Sequence, residues 1–342
     1  MKFLSRITGP CAGFMLVLAF ALACSIMPAA AITVTDDAGT VITLNSTPAR
    51  IVSLAPSNTE LLAALGLLDR MVGVTDVCNY PPEVNTITRI GGYSAISSEK
   101  VAASRPDLVV ASDITPQETI NRLRQLGLPV VVVAPRDIEH MIADIRKLGN
   151  LTGTGPQADT LATTLSSRIA AAAPRSSSSY RPTVAHVVWH SPLYVSGNET
   201  LQNDVIVAAG GTNIFSDKSG WNTVSLEEFL MRNPDIIIVS GGDGMDTSGK
   251  DVILEAFMNN SQYASLTAVK NHHVYSVNAD AISRAGPRIA DAVEHVAAII
   301  RIVNNEQTAS QTVSVPATAV KTSGFTAFAA LAGFVILALV RR

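Results

Sequence analysis

Cysteine is scarce in this chain, which has 3 in 342 residues. Cys11 and Cys24 lie in an apolar N-terminal segment, so Cys78 is alone in the body of the protein. An intrachain disulfide within the body is therefore excluded. Zinc-finger and iron–sulfur sites are excluded as well, because they need several cysteines at short spacing. For Cys78 we expect a small buried hydrophobe, with exposure in a binding cleft as the alternative.

An excess of positive charge is also missing, since the net charge is −3 and the pI is near 6.1. We therefore expect no nucleic-acid partner. The sequence has no G-x-S-x-G elbow, no P-loop, no HExxH and no dinucleotide fingerprint after the first strand. These absences predict a protein that is not an enzyme and has no catalytic cofactor.

Residues 1–31 have the pattern of a secretory signal peptide. Two basic residues precede an apolar run from Phe14 to Ile26, and small residues end the segment at Ala31. Cleavage there would start the mature chain near Ile32. Acylation of Cys24 is the alternative, because the residues before it are similar to a lipoprotein site.

A second apolar segment, within residues 324–342, precedes two arginines at the end of the chain. As a helix it would span about 26 Å, against roughly 30 Å for a bilayer core, and the arginines predict an outside body. Residues 304–323 are rich in Ser, Thr and Ala and are predicted to form a flexible stalk.

The tripeptide Ser323-Gly324-Phe325 resembles the archaeal Pro-Gly-Phe sorting tails, in which a lipid replaces the removed helix. We expect the body to be anchored at the extracellular face of the cell membrane, through the helix or through a lipid.

Short apolar strands alternate with amphipathic helices along the body, which predicts an α/β fold with mainly parallel sheets. In the middle, residues 155–173 predict one long helix of about five turns, with Leu161 and Leu165 at helical spacing. We predict two three-layer lobes, residues 32–154 and 174–303, joined by this backbone helix. A ligand cleft would lie between them. A single large domain is the alternative.

An internal repeat supports two lobes. In the first half, Glu99 precedes Arg105-Pro106-Asp107 and a buried strand; in the second half, Glu227 precedes Asn233-Pro234-Asp235 and a buried strand. The interval from Glu to Pro is the same in both halves. Because sheets of this class bind ligands beyond the carboxyl ends of their strands, the cleft between the lobes is the expected site.

Local signals predict several boundaries. Ser57 and Glu60 predict a capping box after the first core strand. Trp221 is predicted to lie in a Gly-rich loop. The remaining predictions are a helix over residues 138–148, a loop over residues 280–288 and a closing helix over residues 289–302.

Five short segments carry a family resemblance: Ser53–Glu60, Tyr80–Pro82, Gly197–Thr200, Gly210–Phe215 and Ala285–Ile289. Over about residues 51–301, the chain resembles the helical-backbone solute-binding proteins of ABC importers. It is most similar to their cobalamin-binding branch, and iron-siderophore and haem binders are related branches. The resemblance implies a monomer that captures a small molecule outside the cell and delivers it to an ABC permease and its ATPase.

The resemblance also implies which residues line the cleft: Pro56, Tyr80 and Tyr93 in the first lobe, and Tyr194, Trp221, Asp280 and Arg284 in the second. A corrin is a broad, partly apolar plate fringed with amides. Flat aromatics would cover its faces, while Asp and Arg would hydrogen-bond its edge. For each aromatic, packing in the core is the ordinary alternative.

Two residues depart from the cobalamin-binding pattern. Ser112 stands where those proteins tend to have an aromatic residue, and His190 stands where they have an apolar one. The Ser112 departure weakens the corrin interpretation. His190 adds a candidate axial ligand for cobalt or iron, although a lone His is more often a hydrogen-bonded side chain.

Glu99 and Glu227 occupy equivalent positions of the repeat. The resemblance implies that one such carboxylate in each lobe docks into an arginine pocket of the permease. The ordinary alternative is a solvated glutamate at a helix start, where the helix dipole favours negative charge.

Other functions remain open. An iron-siderophore or haem receptor is the alternative within the superfamily. A zinc or manganese receptor would need three or four converging His and carboxylate ligands, and we predict no metal site. A corrinoid- or metal-handling enzyme would conflict with the missing catalytic motifs. An adhesion or sensor protein would share the fold without permease and ATPase genes beside it.

Overall fold

The structure is a computed structural model that describes residues 31–173, 180–241 and 251–313. The predicted signal peptide and the C-terminal anchor lie outside these residues. In the part of the chain that is described, no helix combines the length and apolar character that a membrane crossing requires.

Strands and helices alternate along both halves, as predicted. The first half contains β1 (Ile32–Thr35), β2 (Val41–Leu44), β3 (Ile51–Ser53), α1 (Pro56–Ala64), β4 (Met71–Val74), β5 (Gly91–Gly92), β6 (Ala95–Ile96), α2 (Ser98–Ala103), β7 (Leu108–Ala111), α3 (Gln117–Gln125), β8 (Val130–Val132), α4 (Ile138–Thr152) and the backbone helix α5 (Gly155–Ala172).

The second half contains β9 (Thr183–His190), β10 (Leu193–Ser196), α6 (Leu201–Ala208), β11 (Thr212–Asn213), β12 (Trp221–Val224), α7 (Leu226–Arg232), β13 (Ile236–Gly241), α8 (Val252–Asn259), α9 (Thr267–Lys270), β14 (Val274–Asn278), α10 (Ala279–Ser283) and α11 (Ile289–Val313). Single 3-10 turns lie at Leu68–Arg70, Pro82–Thr86 and Ser261–Tyr263.

Each half builds its own sheet. The first sheet has the order β4-β3-β7-β8, and all its strands are parallel. The second has the order β12-β10-β9-β13-β14, with β11 alongside β9. In this sheet β10 is antiparallel to both β9 and β12, while the other pairs are parallel. Mainly parallel sheets are thus confirmed.

Successive residues of the strands pack into different apolar clusters. Ile51 faces a cluster shared with α1, α4 and α5, whereas Val52 faces a separate cluster with residues of α2 and α3. In the second sheet, the neighbouring residues Val184 and Ala185 likewise pack into two different apolar clusters. Because side chains alternate across a strand, this pattern gives each sheet a helical layer on both faces. The three-layer lobes are confirmed.

The backbone helix α5 covers the predicted residues apart from Ala173, which follows it as C-cap. Its buried residues belong to one apolar cluster that includes Leu61 of α1 and Val293 of α11. Arg168 of α5 also bonds Glu294 Oε1 at 2.8 Å and Asp291 Oδ1 at 2.6 Å, both on α11. Apolar packing and ion pairs therefore connect α5 to the second half of the chain.

Two predicted helix ends are wrong. α4 continues through Gly149 to Thr152 and ends at Gly153, whose φ of 71° favours glycine. Gly149 is needed for packing rather than for termination, since a Cβ there would clash with Cβ of Ala158 on α5. α11 runs to Val313, so the predicted stalk over residues 304–323 begins as helix.

The internal repeat has the same local structure in both halves. Arg105 and Asn233, each before a Pro-Asp pair, have φ values of 45° and 43°. Asp107 accepts the backbone N–H groups of Ala49 and Arg50, both at 2.8 Å. Asp235 likewise accepts the N–H of Thr183 at 2.8 Å. In each half, the aspartate thus binds the backbone at the start of the lobe's central strand.

The close approach at Gly149 predicts a specific loss of stability. Gly149→Ala should lower the free energy of unfolding by about 1–3 kcal/mol, because the new methyl group overpacks the contact between α4 and α5. Urea unfolding measures this. Gly155→Ala is the matched control, since among the described residues its Cβ would have only Asn150 Oδ1 nearby, at 3.9 Å. Equal stability of the two variants would contradict the proposed packing.

Candidate ligand-binding site

Segments that follow the strands of the two sheets meet near the carboxyl ends of β4 and β14. In the first sheet β3 lies between β4 and β7, so a topological switch point forms at its end, where Pro56 begins α1. In the second sheet β9 lies between β10 and β13. Asn79, which follows β4, donates from Nδ2 to Asp280 Oδ2 at 3.0 Å, just after β14. The region between these strand ends is therefore the candidate site.

Glu60 of α1 is the centre of the contact between the lobes. Its side chain is only 1% exposed. Arg288 donates from Nε to Oε2 at 2.9 Å and from Nη2 to Oε1 at 2.6 Å. Arg284 donates from Nη1 to Oε1 at 3.0 Å. Both arginines follow β14, so one buried carboxylate links the first lobe to two guanidiniums of the second.

The predicted capping box at Ser57 and Glu60 is therefore wrong. α1 begins at Pro56, with Ala55 at its N-cap and no side-chain cap. Glu60 turns toward the second lobe instead, because a buried carboxylate requires charged donors and the arginines supply them.

Asp280 and Arg284 lie on and directly after the short helix α10, which replaces the first part of the predicted loop. Asn278 caps this helix by accepting the N–H of Ala281 at 2.9 Å. Arg284 Nη2 lies 2.8 Å from Asp280 Oδ1, and its Nη1 also donates to Asn79 Oδ1 at 2.6 Å. Both predicted ligand residues are thus held by protein partners.

Tyr80 extends this group. The guanidinium carbon of Arg288 lies 4.4 Å from the centroid of the Tyr80 ring, a cation–π distance. Hydrogen bonding to Glu60 raises the pKa of Arg288, so the cation persists. Tyr80 is 44% exposed, which excludes core packing and leaves the ring accessible to a ligand.

Tyr194 and Trp221 form an aromatic pair in the second sheet. Trp221 is the first residue of β12 rather than part of a loop, and Tyr194 lies on the neighbouring strand β10. Their ring centroids are 5.8 Å apart with an interplanar angle of 18°. Trp221 is 40% exposed, so it is a surface residue. The pair offers a flat apolar surface.

His186 lies next to this pair, and no sequence pattern predicts its place there. Its ring centroid is 6.2 Å from that of Trp221, and Nε2 lies 3.0 Å from Ser240 Oγ. Burial lowers the pKa of His186 to about 3, so the ring is neutral. Within the described ranges, neither His186 Nδ1 nor Ser196 Oγ has a hydrogen-bond partner. A lone His in an apolar strand gave no signal of this.

The remaining predicted residues are Pro56, Tyr93 and His190. Tyr93 lies in the turn between β5 and β6 and is 51% exposed. His190 ends β9, with its ring centroid 5.0 Å from that of Trp189, and its Nδ1 is buried without a hydrogen-bond partner in the described chain. No hydrogen bond, ion pair or ring contact of the described residues joins Pro56, Tyr93 or His190 to the two groups above. Ser112 is buried after β7.

Cys78 is a core residue, as expected. It is buried, and its sulfur lies 3.1 Å from the hydroxyl oxygens of Thr59 and Thr75. The alternative of a cysteine exposed in the cleft is wrong. Over residues 31–173, 180–241 and 251–313, no cluster of His, Cys, Asp and Glu has the makings of a metal site.

Glu99 and Glu227 are exposed at equivalent places on α2 and α7. Ser97 caps α2 by accepting the N–H of Lys100 at 3.2 Å, and Ser225 caps α7 by accepting the N–H of Glu228 at 3.1 Å. Each glutamate is therefore the second residue of a serine-capped helix.

Comparisons with known proteins agree with this fold. The profile of the periplasmic binding protein family matches residues 51–281. An uncharacterized ABC transporter substrate-binding lipoprotein of Bacillus subtilis, YvrC, is 31% identical over 78% of this chain and 84% of its own length. A vitamin B12-binding protein of Salmonella choleraesuis is 31% identical over 75% of this chain and 91% of its own.

Among solved structures, the periplasmic heme-binding protein RhuT from Roseiflexus, in its apo form, is similar to this chain with a TM-score of 0.66 and 26% identity. The match covers 74% of this chain and 98% of RhuT.

The buried His186 predicts a pH dependence of stability. Its folded pKa is below the ordinary value of 6.5, so the unfolded chain binds the proton first as pH falls. Stability contributed by neutral His186 is complete above pH 6.5 and is lost toward pH 3, by at most about 1.4 kcal/mol per pH unit. Denaturant unfolding at a series of pH values should show that the free energy of unfolding falls less steeply with decreasing pH for His186→Gln than for the wild-type protein. The same pH dependence in both proteins would contradict a buried neutral ring.

Proposed function

This chain belongs to the periplasmic binding protein family, and we propose that it captures a corrinoid of the cobalamin type for an ABC importer. It is a solute-binding protein and not an enzyme. The ligand would occupy the gap between the lobes and pass from there to the permease, which the ATPase drives. We assign residues 32–154 and 174–303 to the two lobes. We also propose that the protein acts as a monomer.

The corrinoid proposal rests on the combination of a flat aromatic pair with polar groups at the contact between the lobes. The stacked pair of half-buried Tyr194 and exposed Trp221 provides a flat apolar surface beside His186. At the contact between the lobes, Asp280 and Arg284 provide an acceptor and a donor. A plate with an apolar face and an edge of amides requires this combination. The similarity to the vitamin B12-binding protein of Salmonella supports the same ligand class.

A haem or iron-siderophore ligand is the second candidate. It is favoured by Nδ1 of His190, which has no hydrogen-bond partner among the described residues and could serve as an axial ligand, and by the similarity to RhuT. We further propose that the protein acts at the extracellular face of the membrane, held there by its C-terminal segment or by a lipid.

A titration separates the two candidates. Dicyanocobinamide or cobalamin should bind the purified protein one to one with micromolar or tighter affinity, on the order of 8 kcal/mol. Absorbance or calorimetry follows the binding. If both corrinoids fail to bind while haemin or a ferric siderophore binds, the corrinoid proposal is wrong.

The aromatic pair can be tested directly. Trp221→Ala should weaken corrinoid binding by roughly 2 kcal/mol, because the variant loses stacking area. Trp221→Phe retains a flat ring and should recover most of this affinity. Circular dichroism should show that both variants remain folded. Unfolding of Trp221→Ala would instead identify Trp221 as a structural residue.

Glu99 and Glu227 are proposed to dock the protein on its permease. Replacing both with Ala should leave ligand affinity unchanged and abolish uptake in cells. Single replacements should give partial defects, because each exposed charge contributes modestly. Glu118→Ala with Glu255→Ala is the matched control, since it also removes one exposed first-turn carboxylate from each lobe. Normal transport by the Glu99 and Glu227 double variant would refute docking.

A further inference from the structure

The ionised groups that join the lobes balance one another. Arg284 and Arg288 supply two positive charges, while Glu60 and Asp280 supply two negative ones. The four groups are in contact, and Arg288 Nη2 also lies 3.7 Å from Asp280 Oδ2. The formal charge of this cluster is therefore zero, although two arginines face the candidate site.

Both arginines already donate hydrogen bonds to several protein groups. Arg288 binds Glu60 through two nitrogens, and its guanidinium lies against the Tyr80 ring. Arg284 binds Glu60 and Asn79 through Nη1 and Asp280 through Nη2. The paired Arg–carboxylate contacts are of the strongest class of hydrogen bond in proteins. A ligand anion would have to compete with them.

Glu60 cannot give way to such an anion. Its side chain is almost entirely inaccessible to solvent and is fixed in α1. A ligand carboxylate beside Arg284 would therefore lie near two protein carboxylates, and like charges in a poorly solvated site repel strongly. An amide, ester or hydroxyl group carries no charge and could share the remaining donor and acceptor positions.

We infer that Glu60 is a specificity-determining residue: together with Asp280 it neutralises Arg284 and Arg288, and this makes the cleft select plates with an uncharged edge and reject those with carboxylates. The inference rests on the proposed function only in placing the ligand beside Arg284. Glu60 is a positioning residue, because it acts through the arginines and is too deeply buried to touch a ligand.

Paired probes that differ only in edge charge test this inference. Dicyanocobinamide and dicyanocobyrinic acid share the corrin but carry amides and carboxylates, respectively. Haemin and its dimethyl ester form the same comparison on a porphyrin. The full chain should bind the uncharged member of a pair about tenfold more tightly or better, a difference set by unfavourable charge contacts.

Variants of Glu60 then test whether this residue causes the preference for uncharged probes. Glu60→Gln removes the negative charge and should strengthen binding of the carboxylate probe. The ratio of the affinity for the uncharged probe to that for the carboxylate probe should therefore fall about tenfold. Glu60→Asp keeps the charge and should retain the wild-type ratio. A change in overall stability alone would shift both members of a pair equally, so the ratio separates selectivity from folding.

The outcomes distinguish this inference from the proposed function. Equal binding of the two members by the wild-type protein, or tighter binding of the carboxylate form, overturns the inference even if corrinoids bind. An unchanged ratio in a folded Glu60→Gln variant also overturns it. Binding of porphyrins alone, with the ester preferred, overturns the corrinoid proposal and supports the charge selectivity. Binding of neither scaffold overturns both.

Discussion

Glu60 is a carboxylate that water scarcely reaches, and it is paired with two arginines of the opposite lobe. Removing one partner from such a buried pair typically costs about 3–5 kcal/mol, because the remaining charge is left without compensation. The same contact sets the positions of Asp280, Arg284 and Tyr80. The arrangement of the candidate site therefore depends on whether the lobes meet at Glu60.

The helices behind the site keep this contact in register. α4 and α5 approach so closely at Gly149 that no side chain fits there, and Arg168 ties α5 to α11. One apolar cluster includes residues of α1, α5 and α11. A continuous helix and a shared core resist wide hinge opening, so ligand binding should shift the lobes only modestly. Such a frame would hold Glu99 and Glu227 at a nearly constant separation.

Much of this architecture could be predicted, because it follows from the hydrophobic periodicity and the internal repeat of the sequence. The alternation of strands and helices gave the α/β lobes, the uninterrupted segment over residues 155–173 gave α5, and the Pro-Asp repeat gave equivalent strand starts. These features depend on local patterns, which remain visible in one sequence.

The polar details were not predictable, because they depend on contacts between residues far apart in the chain. The spacing of Glu60 from Ser57 matches a capping box. In the folded chain Glu60 instead accepts a hydrogen bond from Arg288, which is far away in the sequence. Gly149 has the appearance of a helix stop until Ala158 is placed against it. Trp221 follows a glycine that suggests a loop, but pairing with β10 makes it a strand residue. His186 gave no pattern at all.

A crystal structure of the protein with dicyanocobinamide would test the central claim most directly. The corrin plate should lie between the lobes against Trp221 and Tyr80, with Glu60 still bound to Arg284 and Arg288. A plate bound outside this gap, or a Glu60 separated from both arginines in the complex, would contradict the proposed site and the role of the neutral ion cluster.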